Sequence, residues 1–259
     1  MLVVVDIGNT NIVVGVYESG MLHRRFRVST NPRGTPDEYG SLMMQILERG
    51  GVLREKIEAV AIASVVPQLD GVFDEVCASY LHARAWSVGR NLHVNMPVLV
   101  DNPKEVGADR IVNAYAAWQQ FKQAMILVDF GTATTLDVVS NQGEYLGGAI
   151  APGIEIASDA LFRSAAKLNR VELAAPQHAI GRNTKEAIQS GLYLGYIGLI
   201  DTLVGRMQSE LGYAARVLAT GGLARFFQGS SQSIQEVDPD LTLRGLKDIY
   251  LENERESGR

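Results

Sequence analysis

The stretch Met125-Ile126-Leu127-Val128-Asp129-Phe130-Gly131-Thr132-Ala133-Thr134-Thr135-Leu136-Asp137-Val138-Val139 decides the fold of this chain of 259 residues. An apolar run of strand length delivers an acid, Asp129, into a Gly/Thr turn, and a second strand-like run leaves at once. Two such runs joined by a short glycine-containing turn form a hairpin, whose turn presents backbone N–H groups and hydroxyls to an anion. These residue types suit phosphate, with Asp129 directing a metal ion.

The start of the chain carries a counterpart. Leu2-Val3-Val4-Val5 runs into Asp6-Ile7-Gly8-Asn9-Thr10-Asn11 and out through Ile12-Val13-Val14-Gly15-Val16. An offset of 123 residues puts Asp6 on Asp129, Gly8 on Gly131, Val16 on Val139 and Gly20 on Gly143. The chain therefore reads as two diverged halves, each opening with strand, acidic turn and strand. Two such hairpins facing across a cleft hold a nucleoside triphosphate and its Mg²⁺ from both sides. The carboxylates orient the ion's bound waters while the turns contact phosphate oxygens.

Composition narrows the partners. With 24 Lys+Arg against 29 Asp+Glu the net charge is -5, which points away from nucleic acid and from an acidic membrane surface. No apolar run reads as a membrane span. Cys77 is the one cysteine, so no internal disulfide forms, and a reducing, cytoplasmic setting is expected. The strand that begins at once and carries Asp6 leaves no room for a cleavable signal. Asp74-Glu75-Val76-Cys77-Ala78 reads as helix with a small buried thiol rather than a nucleophile.

Between the hairpins, strand and helix signals alternate. Ser19-Gly20 turns into a third strand over 21–29, whose His23, Arg24, Arg25 and Arg27 read as a solvated face. Thr35-Pro36-Asp37-Glu38 is a helix start with a capping box, and Gly50-Gly51 is its stop. Strands are expected over 59–64 and 85–88, with helical spacing over 70–82. Residues 95–108 form a loop ending in Gly107-Ala108-Asp109-Arg110, which opens an amphipathic helix marked by Ile111, Ala114, Tyr115 and Trp118. Asp109 there is either a helix cap or an active-site acid.

The second half repeats the opening with strands over 125–129, 134–139 and 144–149. Gly181-Arg182-Asn183-Thr184 begins the longest helix, running to about Leu211 and capped by Asn183 or Thr184. Gly191, Gly195 and Gly198 form a ridge along it suited to close helix packing, a candidate dimer seam, while Lys185, Glu186 and Asp201 argue against a membrane setting. Val217-Leu218-Ala219 enters a Thr220-Gly221-Gly222 turn whose glycines suit a flat purine, and a terminal helix covers 241–252.

Other chemistries lack their residues. The chain has no Gly-x-x-x-x-Gly-Lys-Ser/Thr loop, no protein-kinase motif set and no Gly-x-Ser-x-Gly turn. His23, His82, His93 and His178 are scattered without metal-ligand spacing. Phosphoryl transfer involving a nucleotide remains.

Taken in order, Asp6-Ile7-Gly8-Asn9-Thr10-Asn11, the run Asp101-Asn102-Pro103-Lys104-Glu105-Val106-Gly107-Ala108-Asp109-Arg110, Asp129-Phe130-Gly131-Thr132 and Gly181-Arg182-Asn183-Thr184 resemble the type III pantothenate kinases. That family belongs to the superfamily of actin, sugar kinases and heat-shock chaperone ATPases. The resemblance implies an α/β fold of two similar ribonuclease H-like, actin-like domains with mixed sheets flanked by helices, cut at 1–116 and 117–259, with a cleft between them. The terminal helix is a candidate to cross back.

It further implies ATP-dependent phosphorylation of pantothenate, the first step towards coenzyme A, in a cytoplasmic homodimer. Asp109 would be the general base, with Gly107, Ala108, Arg110 and Thr184 contacting pantothenate. Asp6, Ile7, Gly8, Asn9, Thr10, Asn11, Ile12, Val13 and Thr132 would bind ATP. Asp6 would serve Mg²⁺, and Asp129 a monovalent cation, potassium or ammonium. Family members often carry a tyrosine just before Asp-Asn-Pro; this chain has Val100, and that contact is not expected. The rival readings are another small-molecule kinase of the superfamily and a nucleotide-binding regulator.

Overall fold

A computed structural model describes residues 1–164 and 170–258. The two apolar-acidic repeats seed two five-stranded sheets of one topology. In the first, β1 (Leu2–Ile7), β2 (Asn11–Glu18) and β3 (Met21–Ser29) form an antiparallel meander. There β4 (Ala59–Ser64) and β5 (Arg84–Ser87) add in parallel on the other side of β1, giving the order β3-β2-β1-β4-β5.

In the second sheet β6 (Met125–Phe130), β7 (Ala133–Val139) and β8 (Tyr145–Pro152) repeat the meander. Beside β6 run β9 (Arg216–Gly221) and β10 (Glu236–Val237), giving the order β8-β7-β6-β9-β10. β1 and β6 also share one burial profile, in which the acid is the half-buried position among buried neighbours. The two-residue β10 lacks a legible periodicity and escapes a sequence reading.

The chain folds as two compact units, one of Met1–Pro97, Asp101–Gln120 and Asp240–Arg259, the other of Val98–Val100 and Phe121–Pro239. This differs from a single cut after residue 116. The terminal helix α7 (Leu241–Glu256) lies across β1, β2 and β4, where Leu243 packs over Gly15 beside Val4. Residues 98–100 join the other unit because Leu99 N donates to Tyr145 O at 2.8 Å.

In the first unit, strand alternation sends Val3, Val5 and Ile7 into a core closed by Met43 and Leu47 of α1 (Pro36–Arg49) and by Leu69 and Phe73 of α2 (Pro67–Glu75). The Thr35 hydroxyl accepts from Glu38 N at 3.3 Å and Glu38 Oε2 accepts from Thr35 N at 2.8 Å, a reciprocal cap worth about 1 kcal/mol. After α2 the helix widens into a π-type turn, Val76–Leu81, which buries Cys77. The basic stretch of β3 is used structurally: Arg24 Nε donates to Gly50 O at 3.0 Å, and Arg25 pairs with Asp240 at 2.9 Å. On the opposite face α7 meets α3 (Ala108–Phe121).

In the second unit, Ile126, Val128 and Phe130 point into a core shared with Tyr193, Tyr196, Ile197, Ile200 and Val204 of α5 (Thr184–Leu211). Phe227 of α6 (Ala224–Phe227) stacks on Phe130 with ring centroids 5.0 Å apart. α4 (Ile154–Ser164) follows β8. By length and composition α5 could cross a membrane. Its buried face belongs to this core, and Asp201 on it accepts from Ser231 Oγ at 2.6 Å and from the backbone N–H groups of Gln232 and Ser233 at 3.1 Å.

Candidate active site

Asp6 is the fifth residue of β1, and alternation places it on the face of Leu2 and Val4, opposite the core side chains of Val5 and Ile7. The turn that follows is closed by Gly8 N donating to Asn11 O at 3.1 Å. It is pinned to the end of β3, where Thr30 Oγ1 donates to Gly8 O at 2.6 Å and Thr30 N to Thr10 O at 3.0 Å. Asn9 and Thr10 are exposed at its tip. Ile7 and Ile12 are wholly buried in the core, so what these two offer a ligand is backbone and the shape of the turn, not side chains.

Asp109 is presented at the same end of the sheet. Gly107 O accepts from Arg110 N at 3.1 Å and from Ile111 N at 3.3 Å, so Gly107 opens α3 and Asp109 sits within its first turn. The N-cap position itself falls to Gly107, while Asp109 in the first turn still meets a helix N–H, so its structural reading stands beside the functional one. Asp109 Oδ1 accepts from Arg110 N at 2.8 Å, at the helix end where backbone N–H groups lack intrahelical partners.

The glycine at 107 brings the backbone close against the Asp109 carboxylate and Val65. A β-carbon there would stand 2.6 Å from Asp109 Oδ1 and 3.3 Å from Val65 Cγ1. Val65 N in turn donates to Ile7 O at 3.0 Å. The Gly107–Asp109 corner therefore lies beyond the carboxyl ends of β1 and β4, beside the strand end that carries Asp6. Open α/β sheets bind ligands beyond these strand ends.

The second unit repeats the turn. Asp129 pairs across β6 with Thr135 of β7 and Thr220 of β9. Gly131 N donates to Ala133 O and Gly153 N to Thr132 O, both at 3.1 Å, leaving Gly131 and Thr132 exposed at the tip. A β-carbon on Gly153 would stand 2.2 Å from Thr132 O, so only glycine lets α4 begin this close to the turn. Beneath it Thr134 Oγ1 shares a short hydrogen bond with Tyr196 Oη, which donates to Pro152 O at 2.8 Å.

Gly221, at the end of β9, has φ +89 and lies directly against the Asp129 carboxylate, where a β-carbon would be 2.5 Å from Oδ1. The sequence offers this glycine-rich turn to a flat purine, and the structure shows the Asp129 carboxylate against Gly221.

Thr184 is the first residue of α5, and Asn183 is its cap, accepting from Glu186 N at 2.9 Å. Glu186 Oε2 accepts from Arg182 N at 2.9 Å and Oε1 from Asn183 Nδ2 at 2.8 Å, and these donors hold its carboxyl below the ordinary range. Thr184 and Arg182 edge a cavity of about 560 Å³ whose other walls include Leu161, Ile188 and Leu192. Val100, just before Asp101-Asn102-Pro103, lies 3.4 Å through Cγ1 from where a β-carbon on Gly147 would stand.

The residues assigned from sequence thus divide by unit: Asp6 to Val13 and Gly107 to Arg110 in the first, Asp129, Thr132 and Thr184 in the second. Among the described residues no three His, Cys, Asp or Glu side chains gather into a metal cage. Lone carboxylates suit Mg²⁺, which keeps waters and takes substrate phosphates as ligands.

The sequence model of the family described as Type III pantothenate kinase matches residues 2–206. A type III pantothenate kinase of Myxococcus xanthus is 49% identical over 253 residues, covering 98% of this chain and 99% of the relative. Among solved structures, a Campylobacter jejuni protein described as a Baf family transcriptional activator aligns with TM-score 0.62 at 20% identity, covering 98% of this chain and 99% of that one. The ROK hexokinase of Thermus thermophilus aligns with TM-score 0.52 at 16% identity over 97% of this chain and 99% of its own. At those identities the two structures show the fold, an actin-like pair of ribonuclease H-like domains, and the sequence relatives show the rest: the chain belongs to the type III pantothenate kinase family.

Proposed function

We propose that the chain transfers the γ-phosphoryl group of ATP to the primary hydroxyl of pantothenate, the first step of coenzyme A biosynthesis. The observation that carries this reading is the Asp109 carboxylate, held at the N-terminus of α3 beyond the strand end that carries Asp6. An alcohol is a poor nucleophile until a positioned carboxylate accepts its proton. Asp109 takes that proton as the alcohol oxygen attacks the γ-phosphorus, and the bond to the departing ADP breaks in line.

The remaining roles follow the same chemistry. The backbone of residues 6–13 and the exposed Thr132 bind ATP phosphates. Mg²⁺ when bound neutralises phosphate charge, and Asp6 orients its waters. Asp129, with the carbonyl oxygen of Phe130 close by, is an oxygen site for potassium or ammonium. Arg110 presents a planar fork to the pantothenate carboxylate, Gly107 and Ala108 shape that pocket, and Thr184 offers a hydroxyl. The ridge on α5 is proposed as the seam for a second copy of the chain, and it is open, since a β-carbon on Gly191, Gly195 or Gly198 would meet nothing within 4 Å. The acidic charge and single buried thiol accord with a cytoplasmic enzyme of small ligands.

A coupled assay of ADP release tests the reading. ADP should appear with pantothenate, depend on potassium or ammonium, and be absent with a panel of sugars. Release driven by a sugar would shift the substrate, and ATP binding without any pantothenate-dependent turnover would favour a regulator.

A further inference from the structure

The helix that carries Asp109 is held by a contact no motif announces. One turn after Asp109, on the same face of α3, stands Asn113, which is 2% exposed. A buried side-chain amide is costly unless its hydrogen bonds are made. Asn113 Oδ1 accepts from Thr242 Oγ1 at 2.7 Å, a bond that spans 129 positions of sequence.

Thr242 lies in the first turn of α7, and α7 is itself firmly located. Its start pairs with β3 through Asp240 and Arg25 at 2.9 Å. Its end is fixed by Asn253, whose Oδ1 accepts from His93 N at 3.0 Å and whose Nδ2 donates to His93 O at 2.7 Å. Between these anchors the two helix backbones touch. A β-carbon on Gly245 would stand 2.7 Å from Val112 Cγ1 and from Val112 O. A second link runs from Tyr115 Oη to Glu252 Oε2 at 2.7 Å.

We infer that Thr242 is a positioning residue for phosphoryl transfer, fixing through Asn113 the rotation of α3 and hence the place of the Asp109 carboxylate. This rests on the reading of Asp109 as the base. Packing at Gly245 sets how closely the helices approach, but an apolar contact is non-directional; of the two directional links, Thr242–Asn113 and Tyr115–Glu252, the first lies one turn from Asp109 and fixes the rotation of α3 there. That turn is where Asp109 projects. Displacement of a reacting group by about 1 Å costs on the order of a hundredfold in rate, so a smaller rotation is still read by catalysis.

Thr242→Val removes the hydroxyl at nearly constant volume, and Thr242→Ser keeps it. In the full-length protein Thr242→Val is expected to lower kcat about tenfold with KM for ATP changed less than about twofold, and Thr242→Ser to restore most of the rate. Amide hydrogen exchange at residues 110–113 should speed up in Thr242→Val and not in Thr242→Ser, a measurement independent of turnover. In an Asp109→Asn background Thr242→Val should cost nothing further. The proposal is overturned by an unchanged kcat and exchange rate in Thr242→Val, by equal losses in Val and Ser variants, or by a parallel rise in KM for ATP. Wild-type turnover in Asp109→Asn alone would remove the base reading, and the positioning role with it.

Discussion

Gly221 sits so close to Asp129 that a β-carbon on it would lie 2.5 Å from the carboxylate oxygen Oδ1, and its backbone holds φ +89. An alanine there meets both the left-handed strain and the carboxylate. Gly221→Ala should therefore destabilise the protein by more than about 1 kcal/mol and displace Asp129. Thermal melting reads the first effect, and the potassium dependence of turnover reads the second. A variant that melts as the wild type does would show that Asp129 is not crowded by this position, and one that is destabilised yet keeps the wild-type response to potassium would count against the proposed cation role of Asp129.

Asp109→Asn keeps the size of the side chain and its place at the start of α3 but cannot accept the substrate proton. Turnover is expected to fall by about 10²–10⁴-fold. Nucleotide affinity, measured by calorimetry, should stay close to that of the wild type, because the turns at 8–11 and 131–133 proposed to hold the phosphates are built without Asp109. Loss of ATP binding instead would take Asp109 out of the base role.

Acid should loosen the second unit at Asp201. Burial by itself raises the pKa of this carboxyl, but donors from Ser231, Gln232 and Ser233 outweigh it and hold the group below its ordinary value of 3.8. A carboxyl depressed on folding contributes stability above its unfolded pKa and loses it as pH falls through the folded value. The gap in melting temperature between wild type and Asp201→Asn should be widest near neutral pH and close below pH 3.8. A gap that stays constant down to the acid limit would rule out an ionised Asp201 as the anchor of residues 231–233.

Cys77 should be inert while the protein is folded. Burial first, and then the charge of Asp74, push its thiol up to about 12, leaving on the order of one molecule in 10⁴ as thiolate at pH 8. Iodoacetamide should label it only after unfolding, and mass spectrometry of native and denatured samples tells the two apart. Rapid labelling of the native enzyme would contradict a buried thiol.

Much of this molecule is written locally. The offset of 123 residues that relates Asp6 to Asp129 reappears as β1 and β6 with the same bounds and the same burial profile. The Thr35 capping box and the span of α5 from Thr184 to Leu211 also follow from neighbours in sequence. Strand alternation, caps and tight turns act over a few residues, so their signals survive in the order of residues alone. Resemblance then suggested the roles proposed for Asp109, Asp129 and Thr184, which no periodicity carries.

What the sequence by itself determined is the repeat, the strand and helix pattern of each half and the acids at the strand ends. The terminal helix, a candidate from the resemblance to cross back, packs with the first unit; the tertiary structure alone decided that Gly221 faces Asp129 and that Thr242 reaches Asn113 across 129 positions. Asn113 and Thr242 look like ordinary helix residues until they are brought together. The physical reason is that a buried amide selects any well-placed hydroxyl, and a glycine is required by whatever backbone or carboxylate comes near it. Those partners are chosen by the packing of sheets and helices, which leaves no local mark in the chain.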